Sequence, residues 1–238
     1  GGFNAVCVTD LVQSIVMTGA LAIVLIYGIS RAGGWTAVMD NAAALPGYLS
    51  LTSTFDVASG SEVKYNFLTI FSTAAWGLGY FGMPHILVRF MAIEDEKKLV
   101  LSRRIASVWV VIAMTAGVLI GIVGLGMTKA GALDTLTGSN SETIIVRIAG
   151  IISQHNALTA LIAGIILAGI LAATMSTADS QMLAAASGVS QNIVHDFLKI
   201  KISEKTNLLI ARLTIVGIAI VSIFLARNPD SSVFKIVS

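Results

Sequence analysis

Apolar residues in this chain gather in long, nearly continuous runs. They lack the alternation of a half-buried strand and the narrow stripe of a surface helix. A helix that crosses a bilayer needs about 20 largely apolar residues, and five segments of about that length or more stand out. They run from about Asp10 to Ser30, Tyr65 to Ala92, Ile105 to Met127, Ala157 to Val189 and Asn207 to Ala226. The fourth is longer than the hydrocarbon layer requires, so it is expected to tilt or to extend beyond the lipid. The pattern predicts an all-α membrane protein with a single transmembrane domain over residues 1–238.

The polar stretches between the runs differ in basic residues. Arg31 and Lys64 are alone between the first and second runs. Lys97, Lys98, Arg103 and Arg104 crowd the next loop, with Arg89 just before it. Lys129 and Arg147 are sparse again, and Lys199, Lys201 and Lys205 form another cluster, followed by Arg212. Cytoplasmic loops collect Lys and Arg, so the first run crosses from inside to outside and each later one reverses it. The acids Glu94, Asp95 and Glu96 leave that reading intact, because the rule counts only Lys and Arg. Two loops invite closer reading. Ser141-Glu142-Thr143 precedes Ile144, Ile145, Ile148, Ile151 and Ile152, which share one helical face and predict an interfacial helix outside the membrane. The Ser53 to Lys64 stretch is polar and reads as a loop.

Composition agrees with the pattern. Hydrophobic residues make up 55% of the chain and charged residues 12%, against about 25% charged in soluble domains. Mean hydropathy is +0.87. A net charge of +2 is too small to point to a nucleic-acid partner; the partner expected is the lipid of a cell (inner) membrane, crossed several times. The one cysteine, Cys7, cannot form an internal disulfide and reads as a small packing residue. The chain starts at Gly1-Gly2-Phe3 without a basic leader and stops at Ser238 shortly into a new segment. The expectation is an internal piece of a longer chain, without a cleavable signal peptide.

The second run carries an interruption. Trp76-Gly77-Leu78-Gly79-Tyr80-Phe81-Gly82-Met83-Pro84-His85 places three glycines and a proline near its middle. Gly costs a helix interior about 1 kcal/mol and Pro about 3, and inside lipid the freed backbone groups must find other partners. Broken helices at mid-membrane leave backbone groups to hold a solute or an ion. Trp76 and Tyr80, four apart, share a face and would form an aromatic wall for a small apolar ring. The competing reading is close helix packing by the glycines and an interfacial belt from the aromatics, though a belt residue would not sit in mid-span. His85 follows the proline and reads as a donor to the broken backbone. His155 and His195 read as loop or interface residues.

The fourth run closes on Ala172-Ala173-Thr174-Met175-Ser176-Thr177-Ala178-Asp179-Ser180-Gln181. Hydroxyls and a carboxylate in or at the edge of a span need partners. Ser176, Thr177 and the Ala173 carbonyl one turn back offer the hard oxygens that a cation such as sodium takes. Alternatively, Ser and Thr bond back to carbonyls of their own helix. Asp179 is open between a supporting contact to such a site, a gate contact and a position beyond the lipid. Asp10 and Gln13 are open between a helix start at the interface and a polar contact in an inner gate. No nucleophile–base–acid set, phosphate loop or zinc pattern is visible, so neither an enzyme nor an organic cofactor is expected.

These motifs resemble one family. The run from Trp76 to Ile86, followed by Arg89-Phe90-Met91-Ala92, resembles the substrate helix of the sodium/solute symporter family in its sodium/proline symporter branch. Ile170-Leu171-Ala172-Ala173-Thr174-Met175-Ser176-Thr177 resembles the sodium helix of that family, and Val8 to Ser14 is similar as well. The resemblance covers essentially the whole chain. It implies a leucine-transporter-type fold of two inverted five-helix repeats, truncated here at both ends. The piece would hold the last helix of the first repeat and four of the second. It implies sodium-coupled symport of proline, or a similar small solute, by alternating access. Trp76, Tyr80 and Pro84 would then bind the solute, and Ala173, Ser176 and Thr177 the co-transported sodium ion. Asp10 matches an acidic residue implicated in sodium-dependent transport; apart from the resemblance, Asp10 and Asp179 are the candidates for a gate or the coupling. Met83 stands where the motif is expected to carry Gln, which bears on the exact solute. The alternatives are a carrier for another small solute, a transporter-like sensor domain feeding a kinase, and a purely structural membrane protein.

Overall fold

The computed structural model describes residues 3–200 and 203–227. Lys201 of the last basic cluster, and the new segment expected near the C-terminus, lie outside the described residues. The chain is built almost entirely of helices: α1 (Phe3–Arg31), α2 (Trp35–Ala43), α3 (Phe67–Gly79), α4 (Pro84–Met91), α5 (Glu96–Lys129), α6 (Ile144–Ser153), α7 (Ala157–Ser187) and α8 (Glu204–Leu225). Among the described residues, the exception is a pair of short strands, β1 (Ser53–Asp56) and β2 (Ser61–Lys64). Among the described residues, four helical stretches are long and apolar enough to cross a membrane: Phe3–Arg31, Glu96–Lys129, Ala157–Phe197 and Glu204–Leu225.

Their ends are set by local chemistry. Asp95 caps α5 by accepting the Lys97 amide at 2.9 Å, with Glu96 in the first turn and Lys129 in the last. Those charges complement the helix dipole. Ser203 caps α8 through the Thr206 amide at 3.2 Å. After α1, Gly33 and Gly34 adopt φ of 91° and 99°, which only glycine takes cheaply, and the Gly34 amide returns to the Ile29 carbonyl at 2.9 Å. The helix from Ala157 to Phe197 has 41 residues and widens into π-helical turns over Gly188–Phe197. At 1.5 Å per residue it is about 60 Å long, twice the hydrocarbon thickness of about 30 Å.

The chain divides into two compact units. One comprises residues 15–82 and 93–171. Its core joins Ala20 and Val24 of α1, Val38 of α2, Ile120, Val123 and Met127 of α5, Ile148, Ala149 and Ile152 of α6, and Ala163 and Ile166 of α7. Glycines set the approach distances. A methyl at Gly28 would collide with Val123, and one at Gly169 would lie 2.6 Å from the Ala20 methyl. Small residues of this kind let membrane helices pack closely where no hydrophobic drive separates helix from lipid. The isoleucines after Thr143 do form a helix, and its apolar face turns into this core.

The Ser53–Lys64 stretch is an antiparallel hairpin rather than a loop, with Ser53 opposite Lys64 and Asp56 opposite Ser61. Its turn is organised by one carboxylate. Asp56 accepts from the Ser59 hydroxyl at 2.6 Å and from the Ala58 and Ser59 amides at 3.1 and 3.2 Å. Those bonds, the hydroxyl's first, hold the Asp56 carboxyl below the ordinary range. The buried Ser53 hydroxyl donates to Glu62 at 2.6 Å, which explains why so polar a segment pairs.

The other unit comprises residues 3–14, 83–92 and the described residues from 172 onward. Its parts are the start of α1, the whole of α4, the second half of α7 with its π-helical extension, and α8. Cys7 is exposed there rather than packed. Asp10 stands two turns inside α1, so it is not a helix start.

Candidate solute and ion site

The apolar run from Tyr65 to Ala92 does not form one helix. Asn66 caps α3 through the Thr69 amide at 2.7 Å. The helix ends at Gly79, tightens into a 3₁₀ turn over Tyr80–Gly82, passes through extended Met83 (φ −82°, ψ 113°), and restarts at Pro84. Proline suits a first helical position because it has no N–H to leave unpaired. The same lack deprives the Tyr80 carbonyl of the donor that a continuous helix would supply at residue 84. The Met83 carbonyl takes the restart, accepting from Ile86 and Leu87 at 3.0 and 3.1 Å. The glycines and the proline thus do interrupt the apolar run, and the 3₁₀ turn and the restart at Pro84 take the place of a continuous helix.

Trp76 lies in the last turns of α3 and Tyr80 opens the 3₁₀ turn. Both rings are substantially exposed, at 39% and 53%. Pro84 opens α4 in the other unit, separated from them in sequence by the extended residue. His85 is half-buried beside it. His155 packs its ring edge-on against Tyr27, centroids 6.5 Å apart. His195 meets its neighbour Asp196 at 2.7 Å.

On α7 the Ser176 hydroxyl donates to the Ala173 carbonyl at 3.1 Å. Two of the three candidate ion ligands are therefore together, joined by a back-bond within the helix. A back-bond of this kind is the ordinary way a serine hydroxyl is satisfied within its own helix. Thr177 is exposed next to it. Among the described residues no cluster of three His, Cys, Asp or Glu side chains offers a rival metal site.

The carboxylate expected at a gate has a partner that the motif reading did not assign. The Arg89 Nη2 of α4 donates to Asp10 Oδ2 of α1 at 2.6 Å and to the Ser180 hydroxyl of α7 at 2.6 Å. Ser180 in turn donates to the Ser176 carbonyl at 3.0 Å. Asp10 Oδ1 is buried without a hydrogen-bond partner, as is Gln13 Oε1. Asp179 is half-buried one position before Ser180. The sequence did contain a signal: Arg89 stands inside the apolar helix Pro84–Met91, and a cation in such a place needs an acid or a ring of acceptors.

This is a multi-pass helical membrane protein, one of whose apolar runs is interrupted by a 3₁₀ turn and an extended residue. The chain belongs to the sodium:solute symporter family, which it matches over residues 1–238. It is 35% identical over 237 residues to the osmoregulated proline transporter OpuE of Bacillus subtilis strain 168, a match covering all of this chain and 45% of that protein. It is 33% identical over 239 residues to the sodium/proline symporter of Salmonella typhimurium strain LT2, covering 100% and 45% respectively. A sodium/proline symporter of Staphylococcus aureus is 32% identical over 240 residues, covering 100% and 43%. The chain thus spans a little under half the length of these relatives. No solved structure matches it significantly.

Proposed function

We propose that this chain is the part of a sodium-coupled proline symporter of the cell's inner membrane that carries the broken solute helix and half of the sodium site. The observation that carries the reading is the helix interruption at Tyr80–Met83. Such a break is costly in lipid and serves a carrier by freeing backbone groups for cargo. In this reading the fold is the inverted-repeat arrangement of five-helix units, with α3 and α4 together making one interrupted span. Sodium takes the Ala173 carbonyl and the Ser176 and Thr177 hydroxyls and favours the outward-open form. Proline docks its ring beside Trp76 and Tyr80, at the break before Pro84. The bundle then rocks and releases both on the cytoplasmic side, driven by the gradients; one elementary charge is worth about 2.3 kcal/mol per 100 mV. Asp10 and Asp179 belong to the inner gate or the coupling.

The test is radiolabelled proline uptake by vesicles holding the complete polypeptide, first under a sodium gradient and then with potassium in its place. Uptake with sodium alone is expected, and Ser176→Ala or Thr177→Ala should abolish the sodium stimulation. Unaltered sodium dependence in both variants would sink the ion assignment. Met83, half-buried in the break, favours a second reading in which another small solute is carried. Sodium-driven uptake of a proline analogue with indifference to proline would select it.

A further inference from the structure

Three segments that are remote in sequence meet at one guanidinium. Arg89 reaches Asp10 across 79 positions and Ser180 across 91, each at 2.6 Å. The topology read from the basic loops puts all three at the same membrane face. Asp10 lies in the inner half of α1, two turns from its start, Arg89 lies on the inner side of the break, and Ser180 lies toward the inner end of α7. From this we infer that Arg89 is the positioning residue of a cytoplasmic latch, which ties the solute helix to α1 and to the ion helix and must open for release. The inference rests on the symporter reading but names a residue and a contact set that reading does not require.

The geometry supports a latch rather than a surface ion pair. The Asp10 side chain is only 15% exposed while the Arg89 side chain is 47% exposed, so the pair is sheltered on the carboxylate side, where a charge-assisted bond outweighs one in open water. Both partners engage the same nitrogen, Nη2, so rotation of the guanidinium breaks both bonds at once. Ser180 accepts from Arg89 while its own proton goes to the Ser176 carbonyl, one turn from the Ala173–Ser176 pair. The latch is therefore wired to the proposed ion site through two hydroxyls. Beside it lies a cavity of about 250 Å³ lined by Val6, His85, Val88, Leu183, Ala184 and Ser187, together with Arg89 and Ser180. A part of the wall belongs to each of the three latched segments, so parting them opens this space.

The test reads opening without transport. Ala184→Cys, with Cys7→Ser to remove the exposed native thiol, places a reporter thiol in the cavity wall of the complete polypeptide. Inside-out vesicles are treated with a membrane-impermeant thiol reagent, and modification at position 184 is followed by peptide mass. Arg89→Gln should speed labelling by about tenfold, the scale expected for losing charge-assisted bonds. Arg89→Lys should restore most of the protection, and Asp10→Asn combined with Arg89→Gln should exceed neither single change. If Arg89→Gln fails to insert, Ser180→Ala should still raise the rate about threefold, since it removes one bond and keeps the ion pair. Unchanged labelling in every variant that inserts overturns the latch, as does full additivity of the Asp10 and Arg89 changes. Proline uptake by the unaltered protein tests the symporter reading separately, so either can fail without the other.

Discussion

Gly28 and Gly19 lie on the same helix, and alanine should act on them in opposite directions. At Gly19 nothing lies within 4 Å of where a methyl would sit, so the change removes glycine's backbone freedom and gains about 0.5–1 kcal/mol. At Gly28 the same methyl would collide with Val123 Cγ1 and touch Met127 Sδ at 3.4 Å. Val123 and Met127 are both fully buried, and a β-branched valine in a helix has essentially one rotamer, so it cannot swing away. Overpacking of that kind costs about 1–3 kcal/mol, which outweighs the backbone gain and leaves a net loss of about 1 kcal/mol. The two variants should therefore differ by about 2 kcal/mol. At about 2–4 °C per kcal/mol for a chain of this size, that separates their unfolding midpoints by about 6 °C. Thermal unfolding of both purified variants in one detergent reads the difference directly. Equal midpoints would refute the close approach of α1 and α5 on which the core description stands.

Two more outcomes are expected from local contacts. Asn66→Ala should remove the cap of α3 and cost about 1 kcal/mol, seen as faster hydrogen exchange in the first turn of α3; unchanged exchange there would deny the cap. Asp56 titrates below its ordinary value in the hairpin, so its turn bonds contribute fully above about pH 4 and are lost as pH falls through the lowered value. Exchange of the Ala58 and Ser59 amides, corrected for intrinsic rate, should lose protection below that pH, and Asp56→Asn should erase the pH dependence. Corrected protection that stays level from about pH 6 to the most acidic pH at which the unaltered protein remains folded would contradict the carboxylate's role.

The sequence by itself determined the parts that depend on neighbours along the chain. Apolar run length foretold the long helices, because only a helix satisfies its own backbone in lipid. The interruption before Pro84 was legible because glycine and proline act on their own turn of helix. Features that needed contact between distant positions were not legible. The Ser53–Lys64 stretch looked like a loop because the bond that favours its pairing, Ser53 to Glu62, crosses the hairpin. Ser176, Thr177 and Ala173 could be gathered from helical spacing alone, but only the folded chain shows Ser176 already bonded to Ala173. Asp10 read as a helix start or a gate contact and Arg89 as the edge of a basic loop, and nothing in their 79-residue separation said that they meet, or that Ser180 completes the set. Gly19 and Gly28 are alike in sequence and opposite in surroundings. Tertiary structure decided these points because a side chain's partner across space is set by how whole helices pack, and local propensity carries no information about that packing.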